Sequence, residues 1–166
     1  MKKILLLTLF ITFSFAKIGA YVSYDLSADW KASSGNVSVD DSMDAGALTI
    51  GYEMEVFNFM KVGSISAGAS YDVIGMDDGY NYENQFFNIY GKYFYSIGYG
   101  IKIWGSLGYN MPQGDLKDFD DGISYGLGLS MDNGISLGYS FNNVSFEVPG
   151  QTTDWVISRI SVSYGF

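Results

Sequence analysis

The chain contains no cysteine and no histidine among its 166 residues. The first absence excludes disulfides and thiolate chemistry. The second removes the side chain on which general-base catalysis near neutral pH most often depends. Proline is scarce, at 2 residues against 21 glycines, 14 tyrosines and 12 phenylalanines. Basic charge is scarce too: 9 Lys and Arg face 18 Asp and Glu, a net charge of −9. Nucleic acid is therefore excluded as a partner, because phosphate backbones are held by Lys and Arg. After residue 16 no apolar run is long enough for a membrane helix.

The stretch that is long and apolar comes first. In "MKKILLLTLFITFSFA" two lysines precede about a dozen apolar residues, with Ser14 and Ala16 as the small residues of a cleavage site. A signal peptide spanning residues 1–16 and cut after Ala16 is expected, leaving one domain over residues 17–166. Removing Lys2 and Lys3 with it leaves 7 of the 9 basic side chains against 18 acidic ones, a net charge of −11.

From residue 20 onward the chain alternates with period two, the mark of extended strands with two unlike faces. Eight segments show it: about 20–30, 45–57, 62–74, 85–94, 97–109, "GISYGLGLSM", "GISLGYSF" and 154–166. In the fifth, Ile97, Tyr99, Ile101, Ile103, Leu107 and Tyr109 oppose Gly98, Gly100, Lys102, Trp104, Ser106 and Gly108. In the first, Val22, Tyr24, Leu26, Ala28 and Trp30 oppose Ser23, Asp25, Ser27 and Asp29. The fourth has the least regular pattern, with Phe87, Ile89 and Tyr93 set against Asn88, Tyr90 and Lys92.

Short and long connections alternate strictly. "NFMK", "YS" and "DNG", with Asn133-Gly134 as a hairpin turn, are short, whereas "KASSGNVSVDDSMD", "GMDDGYNYE", "NMPQGDLKDFDDG" and "NNVSFEVPGQTT" are long and polar. This sorts turns and loops onto opposite ends of an up-and-down meander. Two eight-stranded barrels fit it, a soluble carrier with an apolar lumen and a membrane barrel with an apolar exterior. The polar face consists mostly of Gly, Ser and Ala, which suit a crowded lumen, and the apolar face carries Leu, Ile, Tyr and Phe along whole strands. The fold class expected is therefore all-β, an eight-stranded antiparallel up-and-down transmembrane β-barrel, with Trp30, Tyr109 and Phe141 as an aromatic girdle at the loop end and Tyr164 and Phe166 at the turn end.

The chain closes on "ISVSYGF", a terminal aromatic preceded by alternating apolar residues. In this and in its meander it resembles the small OmpA/OmpX-type outer-membrane β-barrel domains of Gram-negative bacteria. That resemblance implies a C-terminal assembly signal formed by Ile160, Val162, Tyr164 and Phe166. It implies as partners the barrel-assembly machinery and periplasmic chaperones, outer-membrane lipid and lipopolysaccharide. It also implies a monomer in the bacterial outer membrane with periplasmic termini and extracellular long loops. Enzymes among small barrels of that compartment rely on a catalytic histidine, which this chain lacks, so no enzymatic activity, cofactor or metal is expected.

Charge is the remaining chemistry. The long loops are acidic, and "DFDDG" has the look of a calcium loop but lacks the carboxylate that would end a twelve-residue one. On the lumen face Asp25, Glu53, Lys102 and Arg159 count to similar depth from the turn end and are expected to form one salt-bridged cluster, since isolated buried charges are costly. The function expected is a structural or surface-interaction barrel. A narrow channel for ions or small solutes and a carrier of small apolar molecules are the alternatives.

Overall fold

A computed structural model of the protein describes residues 18–43, 46–59, 62–77, 83–148 and 151–165; the expected signal peptide and Phe166 lie outside them. Ten strand segments are present: β1 (Ile18–Ser34), β2 (Val37–Met43), β3 (Leu48–Asn58), β4 (Gly63–Ile74), β5 (Met76–Asp77), β6 (Glu83–Gly98), β7 (Ile101–Gly114), β8 (Gly122–Met131), β9 (Ile135–Val148) and β10 (Gln151–Gly165). Each pairs antiparallel with its neighbour, and β10 returns to pair with β1, so the sheet closes. The ring has eight positions: β1 lies beside β3 at one end and β2 at the other, while β4 and β5 share β6. β2 with β3, and β4 with β5, each occupy one position. The fold is an eight-stranded antiparallel barrel.

A continuous belt of its outer face is apolar. Leu107 and Leu127 are 65% and 60% exposed, and Ile89, Ile103, Ile123, Leu129 and Leu137 stand in the same exposed belt. Water does not tolerate a continuous apolar surface of this extent, and a closed ladder leaves no edge to satisfy in lipid. The barrel spans a membrane.

Three expectations need correction. Two of the long connections, the first and the last, are mostly barrel wall: β1 and β2 form a hairpin paired up to Ser34 and Val37, and β9 and β10 pair up to Val148 and Gln151. Polar residues extend strands there because, above the lipid, neither face need be apolar. The turn expected at "YS" falls instead at Tyr99-Gly100, since β6 runs through Gly98. Gly98, Tyr99 and Gly100 all have positive φ, at 92°, 55° and 73°. Apolar alternation continues through so tight a reversal, which hid it.

The third correction concerns Trp30. Pairing of β1 with β10 shifts between Asp25 and Ser27, a bulge at Leu26. A bulge adds one residue to one strand and reverses which parity points inward. Before it Ser23 and Asp25 are buried, and after it Ala28 is. Trp30 consequently faces into the barrel, stacked on Trp155 with ring centres 5.0 Å apart. Tyr109, Phe141 and Tyr164 remain on the outer face, Phe141 in contact with Tyr125 and Tyr139 at 4.8 and 4.6 Å.

Candidate functional site

The lumen divides into two parts. At the loop end it is filled by a dry plug of Ala28, Met43, Ala47, Met76, Phe86, Leu116, Val144 and Ile157, with Trp30, Phe119 and Trp155 packed against it. Leu116 and Phe119 come from the connection between β7 and β8, which folds inward rather than standing in solvent. Its backbone is pinned by Phe119 N donating to Leu116 O at 2.9 Å and Asp120 N to Ser145 O at 2.8 Å, and Asp115 Oδ2 accepts from Glu83 N at 2.8 Å.

Directly beneath the plug lies a buried ion triad. Arg159 Nη2 donates to Asp72 Oδ2 at 2.7 Å, and Nη1 lies 3.5 Å from Asp25 Oδ2. Asp72 is completed by Thr49 Oγ1 at 2.7 Å and by the Phe86 amide at 3.1 Å. The amide is available because the β4–β6 ladder stops at Tyr71–Phe87 and resumes as β5–β6 at Met76–Asn84. The guanidinium carbon also sits 5.2 Å from the Phe86 ring centre. Such a triad is held together by its partners, because a single buried charge without them is strongly unfavourable.

Below the triad, toward the short turns, the lumen is a cavity of about 380 Å³. Serines from nearly every strand line it, among them Ser66, Ser106, Ser124, Ser140 and Ser161. One wall carries a second ion pair, Lys92 Nζ to Glu53 Oε2 at 2.7 Å. Tyr90 donates to Tyr21 at 3.0 Å and to Glu53 at 3.4 Å. The ammonium lies 4.8 to 5.7 Å from the ring centres of Trp104, Tyr90, Phe94 and Tyr21, so one cation is caged by four aromatic faces. Small residues make the room: a Cβ on Gly68 would come within 2.6 Å of the Tyr90 ring, and one on Gly138 within 2.8 Å of Trp104. Trp104 in turn donates to Ser136 Oγ at 2.9 Å.

The four charges expected to cluster are thus distributed. Asp25 and Arg159 meet. Glu53 is taken by Lys92, and Lys102 pairs at 3.3 Å with Asp132 in the neighbouring turn, where both are largely exposed. Strand tilt separates residues that stand equally far from their turns. Asp72 and Lys92 are the members sequence reasoning missed. Both stand at polar-face positions of their segments, so listing every lumen-face charge would have found them. Of the residues expected in the assembly signal, Ile160 and Tyr164 are exposed on β10 and Val162 is half-buried there. Among the described residues no three carboxylates converge as a metal ion requires.

No family model and no curated protein matches the chain. Among solved structures it is similar to neisserial surface protein A, NspA, at 12% identity over 91% of this chain and 99% of that one, with a TM-score of 0.46. It is also similar to Ail, the attachment invasion locus protein of Yersinia pestis, at 11% identity over 89% and 98%, with a TM-score of 0.41. The barrel architecture itself follows from the closed ladder and the apolar outer face.

Proposed function

We propose that the chain is an integral outer-membrane barrel whose lumen is a structural core and whose working part is the surface built above the lipid at the loop end. The observation that carries this is the closure of the lumen: the plug and the Arg159 triad fill the loop-end half in series. A route for ions or solutes would have to cross both. The channel reading has the lower cavity in its favour, but that cavity ends at the triad. A carrier of apolar molecules would need a space free of charges, and this cavity is lined by Glu53, Lys92, Asp25, Asp72, Arg159 and many serine hydroxyls beside its aromatic rings. The lack of histidine supports a role without catalysis. The loop end, with Asp40 and Asp41 on β2, Asp115, Asp118, Asp120 and Asp121 after β7 and Glu147 on β9, would face outward, with the short turns and both termini in the periplasm and Ile160, Val162, Tyr164 and Phe166 serving assembly.

The test is electrical and topological. Refolded protein in a planar bilayer should give no conductance steps, and steady single-channel steps would favour the pore. A tag at Ser34 should be reachable on intact cells and one at Asn133 should not; the reverse labelling would overturn the orientation.

A further inference from the structure

Above the plug, one sheet continues past the barrel. Strand register places its inward residues in rows across β2, β1, β10 and β9: Val39, Ala32, Trp155 and Val144 in one row, with Val37 opposite Ser34 and Thr153 opposite Phe146 above it. The lower row is tied to the plug, with Val144 buried and Trp155 packed against it. The upper part is uncovered. Val37 is 68% exposed, Val39 56% and Phe146 36%, even though Phe119 leans on Phe146 with ring centres 5.3 Å apart. These residues share the face that continues the packed interior, so they form an apolar shelf backed by a rigid core. It differs from the lipid belt, because its strands carry Asp29, Asp40, Asp154 and Glu147 at neighbouring positions. Asp41 lies on the same face opposite Trp30, and Asp118 and Asp120 flank Phe119, with Lys117 as the basic residue of that loop.

An apolar shelf rimmed by carboxylates selects a partner of opposite charge that also carries an apolar face. We propose that this shelf docks a cationic amphipathic peptide segment of another protein, its apolar side on Val37, Val39 and Phe146 and its Lys or Arg side chains against Asp41, Asp118 and Asp120. Lipid is the wrong occupant, since burying these carboxylates in hydrocarbon is costly. This inference rests on the loop end being the extracellular, interacting end.

The test uses the full barrel in phosphatidylcholine nanodiscs and a synthetic Lys/Leu amphipathic peptide, with a Glu/Leu peptide of the same pattern and empty discs as controls. Binding is read as protein-dependent signal above empty discs. The Lys/Leu peptide should bind and the Glu/Leu peptide should not, with affinity falling as salt rises. Val37→Ser with Val39→Ser should weaken binding by about tenfold or more through lost apolar burial. Asp41→Asn, Asp118→Asn and Asp120→Asn together should weaken it and flatten the salt dependence. All these positions are solvent-exposed, so heat-modifiable folding should be unchanged. Equal binding by the Glu/Leu peptide, no loss in the valine variant, or signal equal to empty discs would overturn the proposal. So would loss of self-association in the valine variant, which would assign the shelf to a second copy of the chain. A single cysteine at Val37, labelled on intact cells, separates the two readings. Labelling without peptide binding sinks this inference alone, and failure to label sinks the orientation beneath it.

Discussion

The two halves of the lumen show how differently one ladder can be filled. Near the loops large side chains meet in the centre: Phe86, Met76 and Ile157 are fully buried, and the guanidinium under them is held between two buried carboxylates. Near the turns serine and glycine make up much of the wall around one aromatic cluster, so the centre is a cavity and the Lys92–Glu53 pair stays partly accessible. The first half holds its charges mainly with protein groups, leaving Trp30 Nε1, Asp25 Oδ2 and Arg159 Nε without a hydrogen-bond partner, and the second has room for water. The charges in the dry half should therefore be the harder to remove.

The largest effect is expected at Arg159. Arg159→Ala leaves Asp25 and Asp72 facing each other without their cation, which should cost about 3 kcal/mol or more. Denaturant unfolding of the refolded barrel measures it, and a change below about 1 kcal/mol would mean that the triad is not the keystone of the upper lumen. Next comes the plug. Ile157→Ala, at a residue with no exposed surface, should cost about 2 kcal/mol or more, from lost burial plus the cavity left behind. The outward-facing Ile160 on the same strand, replaced in the same way, supplies the comparison for a position that meets lipid.

How much of this was legible beforehand differs by level. Alternation in β8 and β9 reads directly from Ile123 to Phe141, because each strand has one apolar face and no interruption. It fails at Leu26, where a bulge changes the facing of Trp30 without changing its spacing, and at Tyr99, where apolar residues continue around a turn. Pairings within the lumen were less legible still. Asp72 and Lys92 stood on the correct face, but which charge each meets depends on tilt and on small residues such as Gly68 that let Glu53 reach across β4 to Lys92. Period-two patterns carry facing and omit depth.

Lys92 sharpens the comparison from the wet side. Lys92→Met keeps much of the apolar stem in its ring of Trp104, Phe94, Tyr90 and Tyr21, and leaves Glu53 beside a cavity where water can reach it. The expected cost is about 1 to 2 kcal/mol, below that of Arg159→Ala, because the orphaned carboxylate is partly hydrated. The double variant Lys92→Met with Glu53→Gln should recover part of that loss. A cost equal to the Arg159 variant would show that the lower lumen is as dry as the upper.

The smallest effect belongs to Lys102, the charge that sequence depth grouped with Arg159. Its partner Asp132 sits in the β8–β9 turn, and the two side chains are 44% and 64% exposed. Exposed pairs are screened and lose side-chain entropy on forming, so Lys102→Ala should change stability by less than about 1 kcal/mol. Raising salt should shrink even that difference, whereas the Arg159 effect should persist, since the triad is almost fully buried. The electrical readout divides them in the same way. Lys102 is at the cavity's turn end and blocks nothing, so Lys102→Ala should remain without conductance, and Arg159→Ala should too while the plug of Leu116, Phe119 and Ile157 stays packed. Conductance appearing on loss of Lys102 alone would place the barrier at the turn end and reverse the order of wet and dry halves.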